Sequence, residues 1–293
     1  MSLLDLILEP LAYDFMVRAI ATTVVAAVVC AVLSCWLVLI GWSLMGDAVS
    51  HSVLPGVVIA YAIGAPFAAG ALVFGVLAVA LIGVIRATSR VKEDAAMGIV
   101  FTTLFALGVV LISVMPSQTD LMHIIFGNIL GISPSEMLQI MVLAAVALTI
   151  LLAKRRDFTL FAFDPSHAHA IGLSPRFLSG LLLGTLALTA VVALQVVGVV
   201  LVIALLIIPG ATAYLLTDRF STMLVIAPIM SALSSVVGIY LSYWLDASSG
   251  GLVVVVQGVV FGLVYLLSPR HGLVGKRLQA KRYARMSPAA PAA

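Results

Sequence analysis

The chain is poor in charge. Fifteen Lys and Arg and twelve Asp and Glu are spread over 293 residues, so 9% is charged and 63% is hydrophobic. A soluble domain carries roughly 25% charged residues. So few polar side chains cannot coat a water-soluble globule, and lipid is the implied solvent. Cysteine is nearly absent too. Cys30 and Cys35 share one apolar run, and a spacing of five puts them about 140° apart on a helix. That places them poorly for sharing a ligand, and both read as small buried residues. They say nothing about redox compartment. No G-x-x-x-x-G-K-[ST] occurs, so the chain has no phosphate-cradling loop of its own. A cleavable signal pattern is missing as well: MSLLDLILEPLAYDF is acidic where such a peptide is basic. The first apolar helix is expected to act as the insertion signal. No internal repeat is visible.

What the chain has instead is long apolar runs, each about 20 residues and so long enough to cross a bilayer core of about 30 Å as a helix. Charge, proline and glycine divide them into nine candidate spans at 17–40, 46–64, 66–86, 95–115, 134–153, 176–196, 198–217, 222–245 and 251–268. The fold class is all-α and polytopic. Nine spans put 14 of the 15 Lys and Arg residues in loops and tail on one side, which makes that side cytoplasmic. Arg18 is the exception, at the outer end of the first span, where it can snorkel. The N-terminus is expected outside and the C-terminus inside. Residues 1–16 read as an outer interfacial segment, 17–268 as the membrane domain, and 269–293 as a basic cytoplasmic tail ending in Pro/Ala-rich, disordered sequence. The sixth and seventh spans are nearly continuous, and the division falls at Gln195–Gly198. If they were one span, this charge pattern would fail.

Within GDAVSHSVLPG, residues 46–56, Asp47 and His51 stand where leucine or valine is expected. They are the only ionisable residues well inside a predicted span. Each charge at mid-membrane costs about 2.5–3.5 kcal/mol on insertion scales, and such residues usually face a bundle interior or a water-filled path. Spaced i, i+4, both point from one helix face and can grip one cation. Carboxylate oxygen with imidazole nitrogen suits Mn²⁺, Fe²⁺ or Zn²⁺ better than Mg²⁺ or Ca²⁺. Ser50 lies nearby on that face. Pro55 frees the carbonyl of His51 and predicts a kink or unwound turn beside the pair, of the kind that marks substrate sites in transporters. Pro209, within IIPGATAY, is a second candidate kink. The competing reading is that Asp47 caps the helix start after Gly46 and His51 bonds a neighbouring backbone. Two ligands are too few for a tight site. A second copy, or a similar second chain, would bring another Asp/His pair, which motivates a dimer.

On the basic side, FAFDPSHAHAIGLSP (161–175) forms a long connection between spans five and six. Asp164 followed by Pro165 predicts a helix start, and Gly172 with Pro175 beyond it predicts a stop. A helix of about two turns is expected there. His167 and His169 are two apart, on different faces, which argues against a shared metal. In the outer segment 116–133, Asp120 and His123 are three apart and are candidates for the mouth of a pathway.

At these stretches the chain resembles a known family. GDAVSHSVLPGVVIAY (46–61) is similar to the signature of the manganese/zinc/iron (ABC-3 type) permeases of ABC importers, and FDPSHAHAIGL (163–173) to their coupling segment. The likeness continues through EDAAMGIVF (93–101), QTDLMHIIFGNILGISP (118–134), ALQVVGVVLVIALLIIPGATAYLLTDR (193–219) and YLSYWLDASSGG (240–251), nearly the whole chain. The stretch 118–134 looks most like the manganese and iron branch. The chain departs from many relatives in lacking basic residues just before the signature, where it reads IGWSLMGD (40–47). The resemblance implies a fold like the vitamin B12 importer permeases in a bacterial plasma membrane. It implies a cytoplasmic ATP-binding subunit, an extracytoplasmic metal-binding protein and a second permease chain as partners. Asp47 and His51 then match the metal site, and Asp164, Pro165, Ala168 and Gly172 fall in the coupling segment. The metal is cargo, most readily Mn²⁺, with Fe²⁺ and Zn²⁺ as alternatives. No permanently bound cofactor, no enzymatic activity of the chain itself and no nucleic-acid partner are expected. An ion-gradient-driven carrier is the competing class, though such carriers often show repeats and paired broken helices. A non-transporting scaffold is the third.

Overall fold

The computed structural model describes residues 9–114, 129–268 and 272–274, and these are helical throughout apart from turns and short connections. In chain order the α-helices are α1 (Asp14–Ile40), α2 (Ser43–Ser52), α3 (Leu54–Ala62), α4 (Phe67–Thr88), α5 (Glu93–Val114), α6 (Pro134–Ala153), α7 (Arg155–Phe163), α8 (Pro165–Ala170), α9 (Pro175–Leu216), α10 (Phe220–Leu245) and α11 (Ser249–Leu267). The first span starts at Asp14 rather than 17, with an acidic side chain in the first turn, where the helix dipole favours negative charge. Asp120, His123, residues 1–8 and nearly all of the 269–293 tail lie outside the described residues.

Among the described residues eight stretches are long and apolar enough to cross a bilayer, counting α2 with α3 and the first arm of α9, Pro175–Val196; Leu201–Leu216 is a shorter apolar helix. The two arms of α9 form a hairpin. As a straight helix, its 42 residues would extend about 63 Å, twice the bilayer core. Gly198 interrupts it with φ 73° and ψ 172°, a conformation essentially reserved for glycine. Both ends of α9 lie on one face of the molecule. Its start follows α8 by a four-residue turn. Its end leads to Phe220, whose ring lies 5.2 Å from Trp36, and Trp36 also packs on Phe158 of α7 at 6.0 Å. Ser268, after α11, donates to the Leu215 carbonyl on this same face. At the opposite end Tyr243 meets Tyr13 and donates to Glu9. The chain therefore turns back at Gly198, between the span-length first arm of α9 and its shorter apolar second arm.

The centre is built from α1, the α2–α3 pair and the first arm of α9, whose apolar stretches are about two-thirds or more buried; α4, α5, α6 and α11 bury 28% or less and form the lipid-facing ring. Small residues allow the close approaches, as membrane helix pairs require. Gly56 of α3 and Gly70 of α4 bring their backbones into contact, so a Cβ on either would strike the other's carbonyl. Ser34 of α1 binds the second arm of α9, accepting from Gly210 N–H at 3.0 Å and donating to the Ile207 carbonyl at 3.4 Å. The backbone dihedrals stay helical through Pro209, and Gly198, at the division expected between the sixth and seventh spans, is the non-helical residue within α9.

Candidate metal site

The α2 helix begins at Ser43 with Trp42 as its N-cap residue. Asp47 is therefore inside the helix, and the capping alternative fails because the first turn is already behind it. One turn on lies His51, with its Nε2 3.2 Å from Asp47 Oδ1. The pair is neither sealed nor open: the side chains are 24% exposed for His51 and 32% for Asp47. A cation about 2.1 Å from both atoms would subtend about 100° across this 3.2 Å gap, between octahedral and tetrahedral values. The two atoms are thus already spaced as neighbouring ligands of one ion, with several first-row metals admitted. No group of three or more His, Cys, Asp or Glu side chains occurs among the described residues, so one chain offers two such ligands here.

Ser50 is buried, and its hydroxyl donates to the Gly46 carbonyl at 2.7 Å. The break near Pro55 falls at Val53, between α2 and α3, with Pro55 in the first turn of α3. Val53 keeps φ −77° and ψ −15°, so the pair sits at a bend in a nearly continuous helix and not at an unwound segment. Phe101 and Phe105 of α5 close over the imidazole, with ring centroids 5.3 Å and 5.4 Å away. Sequence reasoning missed both. Phenylalanine in an apolar span is ordinary, and the only signal was the i, i+4 spacing in FTTLF, the same as that of Asp47 and His51.

On the basic face, Asp164 Oδ1 accepts from the His167 N–H at 2.8 Å with Pro165 in the first turn of α8, as the sequence predicts. The helix is shorter than the expected two turns, six residues ending at Ala170, and Gly172 follows with φ 89°. Ala168 is fully buried, while His167 and His169 are exposed. The α7 helix before it is not expected from the sequence, which predicts a helix in this connection only within 161–175. It is amphipathic: Phe158 and Phe161 are buried, and Thr159 accepts a hydrogen bond from the Trp36 indole at 3.3 Å. Through Trp36 this pair of helices on the basic face is attached to α1, the central helix.

The sequence profile described as the ABC 3 transport family matches residues 12–268. The chain belongs to that family. Relatives of this permease include the manganese transport system membrane protein MntB of Synechocystis sp., 49% identical over 92% of this chain and 88% of the relative. A probable iron transport system membrane protein of Haemophilus influenzae is 46% identical over 95% and 99%. The solved PsaBC of Streptococcus pneumoniae, in complex with Fab, has a chain 35% identical that superposes with a TM-score of 0.86 over 96% of the permease and 100% of that chain. A metal-chelate type ABC transporter in an inward-facing conformation, 18% identical with a TM-score of 0.70, shares the fold. With its apolar crossing helices, the permease is a multi-pass protein of the bacterial inner membrane.

Proposed function

We propose that this permease is the membrane subunit of an ATP-driven importer of a divalent transition metal, Mn²⁺ first and Fe²⁺ or Zn²⁺ as further candidates. The observation that carries the reading is the Asp47–His51 pair, spaced at 3.2 Å on the bent α2–α3 element. Relatives named for manganese and iron transport support the same class of cargo. A site with two protein ligands holds an ion weakly, and a second permease chain facing the exposed side of the pair would double the ligand set. Either way the ion remains releasable, as transport demands.

The chain itself performs no covalent chemistry. Hydrolysis belongs to a cytoplasmic ATP-binding subunit, and an extracytoplasmic metal-binding protein delivers the ion. The docking element for the ATPase is the α7–α8 corner, where Phe163, Ile171 and Phe177 are each more than half exposed on the basic face. These apolar side chains flank α8 and suit a groove in a partner. Movement of the corner reaches the membrane core through the Trp36–Thr159 bond and the Trp36–Phe158 contact.

The test is metal accumulation. The permease is expressed with its ATPase and binding protein in a bacterium lacking its own importers, and Mn, Fe and Zn are supplied together at limiting levels. The wild type is expected to accumulate one metal preferentially, and Asp47→Asn at matched membrane abundance is expected to lose nearly all of it. Equal accumulation by the variant would refute the site.

A further inference from the structure

Metal-binding histidines almost always donate their second ring nitrogen to a carboxylate, a carbonyl or a water, which fixes the ring and raises its basicity. In His51, Nε2 faces Asp47, and Nδ1 is buried with no hydrogen-bond partner among the described residues. What lies against the ring is aromatic. Phe101 is tilted by 48° to the imidazole and Phe105 meets it edge-on at 89°. The two rings are one turn apart on α5 and 6.5 Å from each other, so they form one continuous wall against the imidazole. The Asp47 contact and aromatic packing therefore hold the imidazole, and Nδ1 is buried within the described residues.

Resting on the proposed metal site, we infer that Phe101 and Phe105 are positioning residues that set the metal preference of the permease. They lock His51 in the rotamer that presents Nε2 beside Asp47, and they leave the ring with a single usable donor. Two consequences follow. Without a polar partner on Nδ1, the imidazole is a weaker donor, which keeps the ion releasable. With the ring fixed, the oxygen-to-nitrogen spacing cannot adapt to each metal. A freed imidazole would reorient to suit the ion that binds nitrogen most avidly, and Zn²⁺ lies above Mn²⁺ and Fe²⁺ in that order.

Phe101→Leu and Phe105→Leu keep the apolar bulk and remove the wall. Each is compared with wild type in the assembled importer, with uptake of Mn and Zn measured singly over a concentration series and together in competition. The expected result is a KM for Mn raised about tenfold, the low end for losing support around a metal ligand, with a maximal rate per permease changed much less. The Mn:Zn uptake ratio is expected to fall. That ratio does not depend on how much permease reaches the membrane, so poor folding of a variant leaves the test intact. Wild-type KM and ratio in both variants overturn the inference. Asp47→Asn run in parallel separates the two levels: if it is inactive while the Phe variants match wild type, the wall has no role and the site stands. If Asp47→Asn transports normally, the site itself falls, and this inference with it.

Discussion

At the residue scale, the fold depends on polar groups that find partners inside an apolar bundle. Ser34 shows it best. Its hydroxyl is buried and is the acceptor for the Gly210 N–H beside Pro209, joining α1 to the second arm of α9. Ser34→Ala would leave that N–H facing a methyl group. Removing one partner of a buried hydrogen bond costs about 1–3 kcal/mol, so the purified variant is expected to unfold at a clearly lower temperature in detergent, while its cargo preference stays unchanged. An unchanged melting temperature would mean that Gly210 is satisfied within its own helix. The same economy made Asp47 and His51 legible in the sequence, because a carboxylate and an imidazole inside an apolar run are expensive unless used. Phe101 and Phe105 were not legible for the opposite reason: an apolar side chain in a span costs nothing and carries no signal until its neighbours are known. The weighing of Asp47 as a cap could not be resolved either, since it turned on whether α2 began at Ser43 or only after Asp47.

At the scale of elements, the informative feature is the hairpin within α9. Apolar composition is continuous from Pro175 to Leu216, and the sequence marks the division only by Gln195 and Gly198 amid valines. Charge supplied the rest, since only a reversal there keeps the basic loops on one side. Covalent labelling tests the turn. Cys30 and Cys35 are fully buried and form a silent background for single introduced cysteines. Ser89, between α4 and α5, and Ala247, between α10 and α11, are both exposed. With the reversal they lie on opposite sides of the membrane. A membrane-impermeant maleimide on intact cells is expected to label Ala247→Cys and spare Ser89→Cys. Protection of both would place them on one side and remove the turn at Gly198. The connection before α9 shows where pattern reading falls short. Asp164, Pro165 and Gly172 punctuate α8 clearly, whereas α7 has no such punctuation, and only the burial of Phe158 and Phe161 shows it to be amphipathic.

At the scale of the whole molecule, three things are arranged along one path. The bent α2–α3 element carries the cation ligands, α5 walls the histidine, and α1 carries Trp36, where the α7–α8 corner attaches. The site therefore lies where the enclosed centre meets the rim: α2–α3 is 72% buried, whereas α5, which walls the histidine, is 28% buried. The central claim is that a transition-metal ion sits between Asp47 and His51 during transport. The most direct measurement is anomalous scattering at the manganese edge from crystals of the purified permease equilibrated with Mn²⁺. The account predicts an anomalous peak within bonding distance of both Asp47 Oδ1 and His51 Nε2. A peak bound elsewhere in the membrane, with this pair left in its mutual contact, would contradict it.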